Sequence, residues 1–242
     1  MVLLVLLQGF GSTVINKVTM INLKLFKGFS LQMGDNSPES KKIHFYCLMN
    51  DIDIKRFVIS DEIPKDYVPS GSVEFCEKII GYPKKPDYYP EWLSEYLFRK
   101  VWKSNEWIVG EKYFVKPLDR HKRFTGFITK GTYSKKKRPP FWYSEIISFV
   151  DEWRYYISNG YNLGGWWYQG QNEDMEAPEL NCYIPENFCG TLDFGITSNG
   201  DFALVEAHPP YACGWYGSQN EIEIYLKWII NGWESITKNI KV

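Results

Sequence analysis

In GTLDFGITSNGDFALVEAHPP, residues 190–210, two acids flank an Asn199–Gly200 pair. Asn–Gly is the preferred centre of a two-residue hairpin turn. A hairpin closed there sets Leu192 against Ala207, Phe194 against Val205 and Ile196 against Ala203, an apolar face. On the other face it sets Asp193 against Glu206, with Thr191 and His208 continuing that face. Cβ atoms in such pairs lie about 4.5–5.5 Å apart, and two bare carboxylates there repel unless a cation, a shared proton or a basic partner meets them. Two readings stay open: a surface pair relaxed by solvent, or a site for Mg²⁺, whose hard-oxygen preference convergent carboxylates satisfy.

Chemistry on phosphates would also need positive charge. Lys116 lies in FVKP (114–117), a strand pattern with Phe114 on the same face. Lys122 lies in HKRFTG (121–126), where Thr125 and Gly126 offer backbone N–H groups to phosphate oxygens. Neither GxxxxGK[ST] nor GxGxxG occurs, which removes support for a P-loop or a Rossmann loop. A strand over EWRYYI (152–157) puts Glu152 and Arg154 on one face and Trp153 on the other. Arg154 then serves either a structural ion pair or, through its planar fork, a γ-phosphate or substrate carboxylate.

The elements that must position these groups form one large domain or two joined subdomains, since 44% of the 242 residues are apolar. Balanced charge, 28 basic against 29 acidic residues, gives no bulk argument for a nucleic-acid or membrane partner. Five cysteines without a CxxC pair point to a reduced, cytoplasmic setting, and three histidines argue against a multi-histidine zinc centre. Cys182, Cys189, Cys213 and His208 match no structural zinc spacing. The opening MVLLVLLQGFGST is too short to span a bilayer and lacks a basic start, so it reads as a core strand or an extension. SKKKRPP (134–140) reads as a solvated loop, a lid or an electrostatic guide, and GYNLGGWWYQG (160–170) with GWYG (214–217) as core or as aromatic cleft walls.

Along the chain, residues 31–43 read as a polar loop, and HFYCLM (44–49) and KRFVIS (55–60) as strands. VEFCEKII (73–80) reads as a helix between Ser72 and Gly81, and Pro90 as the start of another with Leu93, Leu97 and Val101 on one face. Strands follow at 113–117, 142–149, 152–157 and 164–170, and a last helix at 220–236 carries the stripe Ile222, Leu226, Ile229, Trp233 and Ile236. Expected divisions are 1–43, 44–108, 109–160 and 161–242.

FVKPLDRHKRFTGFI, SEIISFVDEWRYYISNG and LDFGITSNGDFALVEAHPPYACGWYG, in that order, resemble an ATP-grasp protein. The nearest likeness is the clade known by its arginine and two lysines, found largely in viral and bacterial genomes. YVPSGSVEFCEKI and the YP before the next helix resemble it too, so the likeness spans about residues 65–220. It implies an α+β fold of two subdomains gripping ATP, preceded by a small pre-grasp region. It further implies Lys116 and Lys122 as phosphate contacts, and Glu145, Ile146, Ile147 and Ser148 as the linker holding adenine. Arg154 becomes the clade's arginine with Glu152 beside it, and Asp193 and Glu206 become the magnesium carboxylates. Where ATP-grasp enzymes commonly carry Glu-x-Asn, this chain has Glu206-Ala207-His208, so His208 stands as a third ligand and Mn²⁺ as an alternative metal.

The implied activity is an ATP-dependent carboxylate–amine ligase acting through an acylphosphate on a small molecule, peptide or protein, in the host cytoplasm if the chain is viral. Rival readings are a nucleotide-binding interaction protein without catalysis, favoured by His208, and a nucleic-acid module resting on SKKKRPP.

Overall fold

The computed structural model describes residues 21–81, 85–131, 137–173 and 175–238. The apolar opening (1–13) and residues 134–136 of the basic loop lie outside the described residues. Strands β1 (Gly28–Gln32), β2 (Asp53–Phe57) and β3 (Tyr67–Ser70) form a parallel sheet in the order β2-β1-β3. Parallel neighbours require crossovers, and helix α1 (Pro38–Met49) joins β1 to β2. This corrects the loop expected at 31–43 and the strand expected at 44–49. The helix start is local: Ser37 Oγ accepts from the Ser40 N–H at 3.2 Å, Pro38 fills the first turn and Asp35 accepts from Ser37 and Ser40. Ile43, Tyr46 and Cys47 are buried at helical spacing, while Phe45, Leu48 and Met49, which make the segment look like a strand, are exposed. The first unit therefore begins well before residue 44.

Helix α2 (Val73–Ile80) is as expected, capped by Ser72 Oγ on the Phe75 N–H and closed by Gly81 at φ 87°. The helix expected after Pro90 is only a 3₁₀ turn over Glu91–Tyr96. Phe98 at φ 48° ends it, and Val101 opens a strand instead.

A second sheet contains β4 (Val101–Ser104), β5 (Phe114–Pro117), β6 (Phe127–Ile128) and β7 (Phe141–Ser144), in the order β4-β7-β5-β6. A third contains β8 (Phe149–Ser158), β9 (Tyr161–Gly170), β10 (Gly190–Thr197) and β11 (Phe202–His208), in the order β11-β10-β8-β9. The strand expected over 142–149 is thus two strands, broken at 145–148 where the chain passes from one sheet to the next. The divisions expected at 108/109 and 160/161 shift accordingly. β4 already belongs to the second sheet, and residues 159–160 are the turn inside the β8–β9 hairpin.

Helix α3 (Ile222–Thr237) buries all five residues of its expected stripe. It shares a core with Phe29, Val68 and Phe75 of the first unit and with Tyr156 of β8. Trp228 Nε1 donates to the Gly190 carbonyl of β10 at 2.8 Å, which pins α3 to the third sheet, and Tyr225 OH donates to the Cys213 carbonyl in the segment after β11 at 2.8 Å. The five cysteines are free, and burial pushes the Cys47 thiol up to about 12. Among the described residues no helix is long and apolar enough to cross a membrane.

Asp151, buried in β8, anchors the strap that follows β9. It accepts from the Gln171 and Asn172 N–H groups at 2.8 Å, from Asn172 Nδ2 at 2.6 Å and from Trp167 Nε1 at 3.1 Å. Burial alone would raise its carboxyl, but these donors hold it below its ordinary value of 3.8. That contribution is complete above the unfolded value and is lost as pH falls through the folded one. Asp151→Ala is expected to cost about 1–3 kcal/mol at neutral pH and less in acid; urea midpoints at neutral pH and below the ordinary aspartate range check both.

Candidate active site

The β10–β11 hairpin closes on three residues rather than two. Gly200 N–H bonds the Thr197 carbonyl at 2.9 Å and Thr197 N–H bonds the Asp201 carbonyl at 2.8 Å. Gly200 alone is left-handed, at φ 88°, so the loop uses one αL glycine and not an Asn–Gly pair of positive φ. Phe194 consequently faces Leu204 and Ile196 faces Phe202, correcting the pairs expected there. Val205 is then an extra, bulged residue, and beyond it the expected register returns. Leu192 faces Ala207, Asp193 faces Glu206 and Thr191 faces His208.

Arg99 holds that bulge. Its guanidinium donates to the carbonyls of Leu204 at 2.7 Å and Val205 at 3.1 Å, to Leu97 at 2.8 Å and to Ser144 Oγ at 2.9 Å. Burial depresses its pKa, opposed by Tyr89 and Glu206. On the free edge of β11 the Tyr88 carbonyl accepts from Ala207 N–H at 2.9 Å. Neither role was visible in the sequence, because both are long-range contacts to main-chain atoms.

Asp193 is fully buried and pairs with Arg154 of β8 on its other side. The pair is a fork: Arg154 Nε to Asp193 Oδ1 at 2.7 Å and Nη2 to Oδ2 at 2.6 Å. Glu206 binds Lys116 Nζ, which reaches across from β5 of the second sheet. His208 Nε2 lies 3.3 Å from Glu206 Oε1 and 3.8 Å from Asp193 Oδ2. Burial works against ionising Glu206, yet His208 and Lys116 hold its carboxyl well below the usual range. Tyr88 backs the cluster, with Lys116 Nζ 4.7 Å from its ring centroid and the His208 ring at 5.9 Å. His121 also packs edge-on against Tyr88, at 5.6 Å, and burial, with His208 nearby, pulls its imidazole down to about 4, so it is neutral.

A second layer faces Arg154. Tyr168 and Tyr216 stack at 5.1 Å and lie 5.5 and 5.3 Å from the guanidinium carbon. Tyr168 OH also donates to Glu152, whose carboxyl burial raises. Glu152 therefore sits at the edge of the cluster. Residues Glu145–Ser148 run between the two sheets, with Glu145 N–H on the Lys100 carbonyl at 3.0 Å and Ile146 exposed. Gly126 lies against Phe114 and Lys116, where a Cβ would meet Phe114 at 2.5 Å, and Thr125 is exposed beside it. Lys122 does not join the carboxylates. Its Nζ donates to the Ala212 carbonyl at 2.8 Å, and the residue lines another cavity of about 440 Å³ at the ends of β1 and β3. Of the basic loop, Lys137 packs 3.6 Å above the Phe127 ring, a structural contact on the second sheet.

Residues 96–225, more than half the chain, match the family model for an ATP-grasp domain, family 2 of the clade named for its arginine and two lysines, and the chain belongs to that family. Similar solved structures include the ATP-grasp ligase PsnB complexed with minimal precursor, at 8% identity, covering 76% of this chain and 90% of that one, TM-score 0.41. Others are D-alanyl-alanine synthetase A from Vibrio cholerae (9%, 87% and 99%, 0.42) and D-alanine–D-alanine ligase from Bacillus anthracis complexed with ATP (13%, 89% and 100%, 0.39). No curated protein sequence matches the chain.

The donor set fits a metal ion. One ligand atom each from Asp193, Glu206 and His208 lie within 4.8 Å of one another. Two carboxylates suit Mg²⁺, and the imidazole widens the choice toward Mn²⁺. This arrangement depends on the Val205 bulge, so Arg99→Met is expected to cost about 2–3 kcal/mol and to weaken Mn²⁺ binding. Urea unfolding and manganese titration followed by electron paramagnetic resonance read the two effects.

Proposed function

We propose that the chain is an ATP-dependent carboxylate–amine ligase. The observation that carries this reading is the meeting of Lys116, Arg154, Asp193, Glu206 and His208 between the second and third sheets, which the chain segment Glu145–Ser148 joins. ATP would place its adenine against that segment and its phosphates toward Lys116, with the backbone at Thr125 and Gly126 closing over them and Lys122 joining only on leaving the Ala212 carbonyl. Asp193, Glu206 and His208 would hold Mg²⁺ or Mn²⁺, which when bound screens charge on the phosphate oxygens.

The protein's own groups then have separable tasks. Lys116 offers a fixed ammonium to the phosphoryl group as the γ P–O bond breaks and a substrate carboxylate oxygen forms the new one, releasing ADP. Arg154 turns its fork from Asp193 to the acylphosphate or its carboxylate precursor, and an amine then displaces phosphate to form the amide. Tyr168 and Tyr216 shield the guanidinium from water, which strengthens its interactions. No covalent attachment to the protein is needed. Small molecules, peptides and protein termini all remain chemically suitable acids and amines.

One observation favours a second reading. Both carboxylates already carry a cation, which suits a nucleotide-binding protein that does not turn over. Calorimetry with ATP followed by an ADP assay separates the two, because tight binding without ADP release supports the second.

Under the ligase reading, Asp193→Asn and Glu206→Gln each lower ADP release about 100-fold or more, the scale of losing one preorganised electrostatic contact. The assay runs across panels of acids and amines with Mg²⁺ or Mn²⁺. Undiminished release by both variants overturns the metal assignment.

A further inference from the structure

A cavity of about 760 Å³ shares no lining residue with the carboxylate cluster and approaches it only through Tyr216. It runs along β9, the edge strand of the third sheet, under the strap that follows it. Trp166, Trp167 and Tyr216 form its aromatic wall, and Glu173, Glu176 and Glu179 line its strap side. The strap's backbone is tied down: Trp153 Nε1 donates to the Met175 carbonyl at 3.2 Å, Tyr155 OH to Pro178 at 2.7 Å and Tyr96 OH to Asn181 at 2.8 Å. The three glutamates are nevertheless exposed, and among the described residues none forms an ion pair and no lysine or arginine lines the groove.

We propose that this groove docks a basic, extended peptide segment. Three unneutralised carboxylates on one lip select cationic side chains and repel phosphate, so the groove does not fit nucleic acid. Trp166 and Trp167 lie on opposite faces of β9, so the groove wraps the strand edge with an indole on each side, and aromatic rings accept lysine or arginine over their faces. The outward side of an edge strand offers main-chain hydrogen-bonding groups that a peptide can use and a compact cation cannot. The overall charge of −1 makes this acidity a local feature rather than a property of the whole surface.

The groove reaches the cluster through Tyr216, whose ring lies 5.3 Å from the Arg154 guanidinium carbon. A peptide seated along β9 would therefore bring one end to Arg154. That it arrives there as the ligase's acid or amine rests on the function proposed above; that it binds does not.

The test uses the full chain and fluorescein-labelled decapeptides alternating lysine with glycine, or glutamate with glycine, read by fluorescence anisotropy. The lysine peptide is expected to bind at least tenfold more tightly than the glutamate peptide and to weaken as salt rises. The E173Q/E176Q/E179Q variant, changed only at exposed positions, should lose at least tenfold in affinity. Equal binding of both peptides, an unaffected triple variant, or spermidine competing as well as the unlabelled lysine peptide would each overturn the proposal. ADP release is measured in a separate assay, so a chain that binds the lysine peptide but never turns over ATP refutes the ligase reading alone.

Discussion

Two carboxylates meeting across a pair of strands, one of them wholly removed from water, are what the rest of this architecture has to accommodate. At about 4–5 Å and an effective dielectric constant near 20, their repulsion is roughly 3–4 kcal/mol, comparable to a large share of a domain's net stability. Arg154 offsets it from within the third sheet and Lys116 from the second. The second of these contacts is the more consequential for shape. It makes the relative position of two sheets part of the electrostatics of one hairpin, and Arg99, bonded to Ser144 on one side and to Val205 on the other, fixes that position at a second point.

Much of the site was legible because strand alternation is strict. Glu152 and Arg154 share a face of β8, and Asp193, Glu206, Thr191 and His208 share the matching face of the hairpin, as period two requires. The hairpin also shows how a right pairing can rest on a partly wrong path. A three-residue loop shortened the register by one and the Val205 bulge lengthened it by one, so Asp193 still met Glu206. Turn preference gave no warning of either change, since the bulge is stabilised by Arg99, more than a hundred residues away.

Other elements failed to read for different reasons. α1 does not look like a helix in the sequence because its outer face carries Phe45, Leu48 and Met49, which erases the usual amphipathic contrast. Its true signal was the Ser37–Pro38 start, weak in isolation. The polar run HKRFTG reads as a loop, and Lys122 lies in the loop after β5, but nothing local tells that its side chain turns toward Ala212 rather than toward Lys116. Long flexible side chains are positioned by distant acceptors, and a sequence window does not contain them.

Charge counting then constrains how the proposed ligands can enter. Asp193 and Glu206 are balanced here by Arg154 and Lys116, so the cluster is close to neutral as it stands. A polyphosphate arriving alone would draw Lys116 or Arg154 away and leave a carboxylate bare in a poorly solvated cleft, a state costing several kcal/mol. A divalent cation arriving alone would leave the same basic groups without partners. Were both to arrive together, the carboxylates would be free to hold the metal while the phosphates would take up Lys116 and Arg154, and every charge would keep a neighbour of opposite sign. On the proposed reading, coupling between nucleotide and metal would follow from the ion pairs already in place, and the bidentate Arg154–Asp193 contact would be the pair that such an exchange has to open.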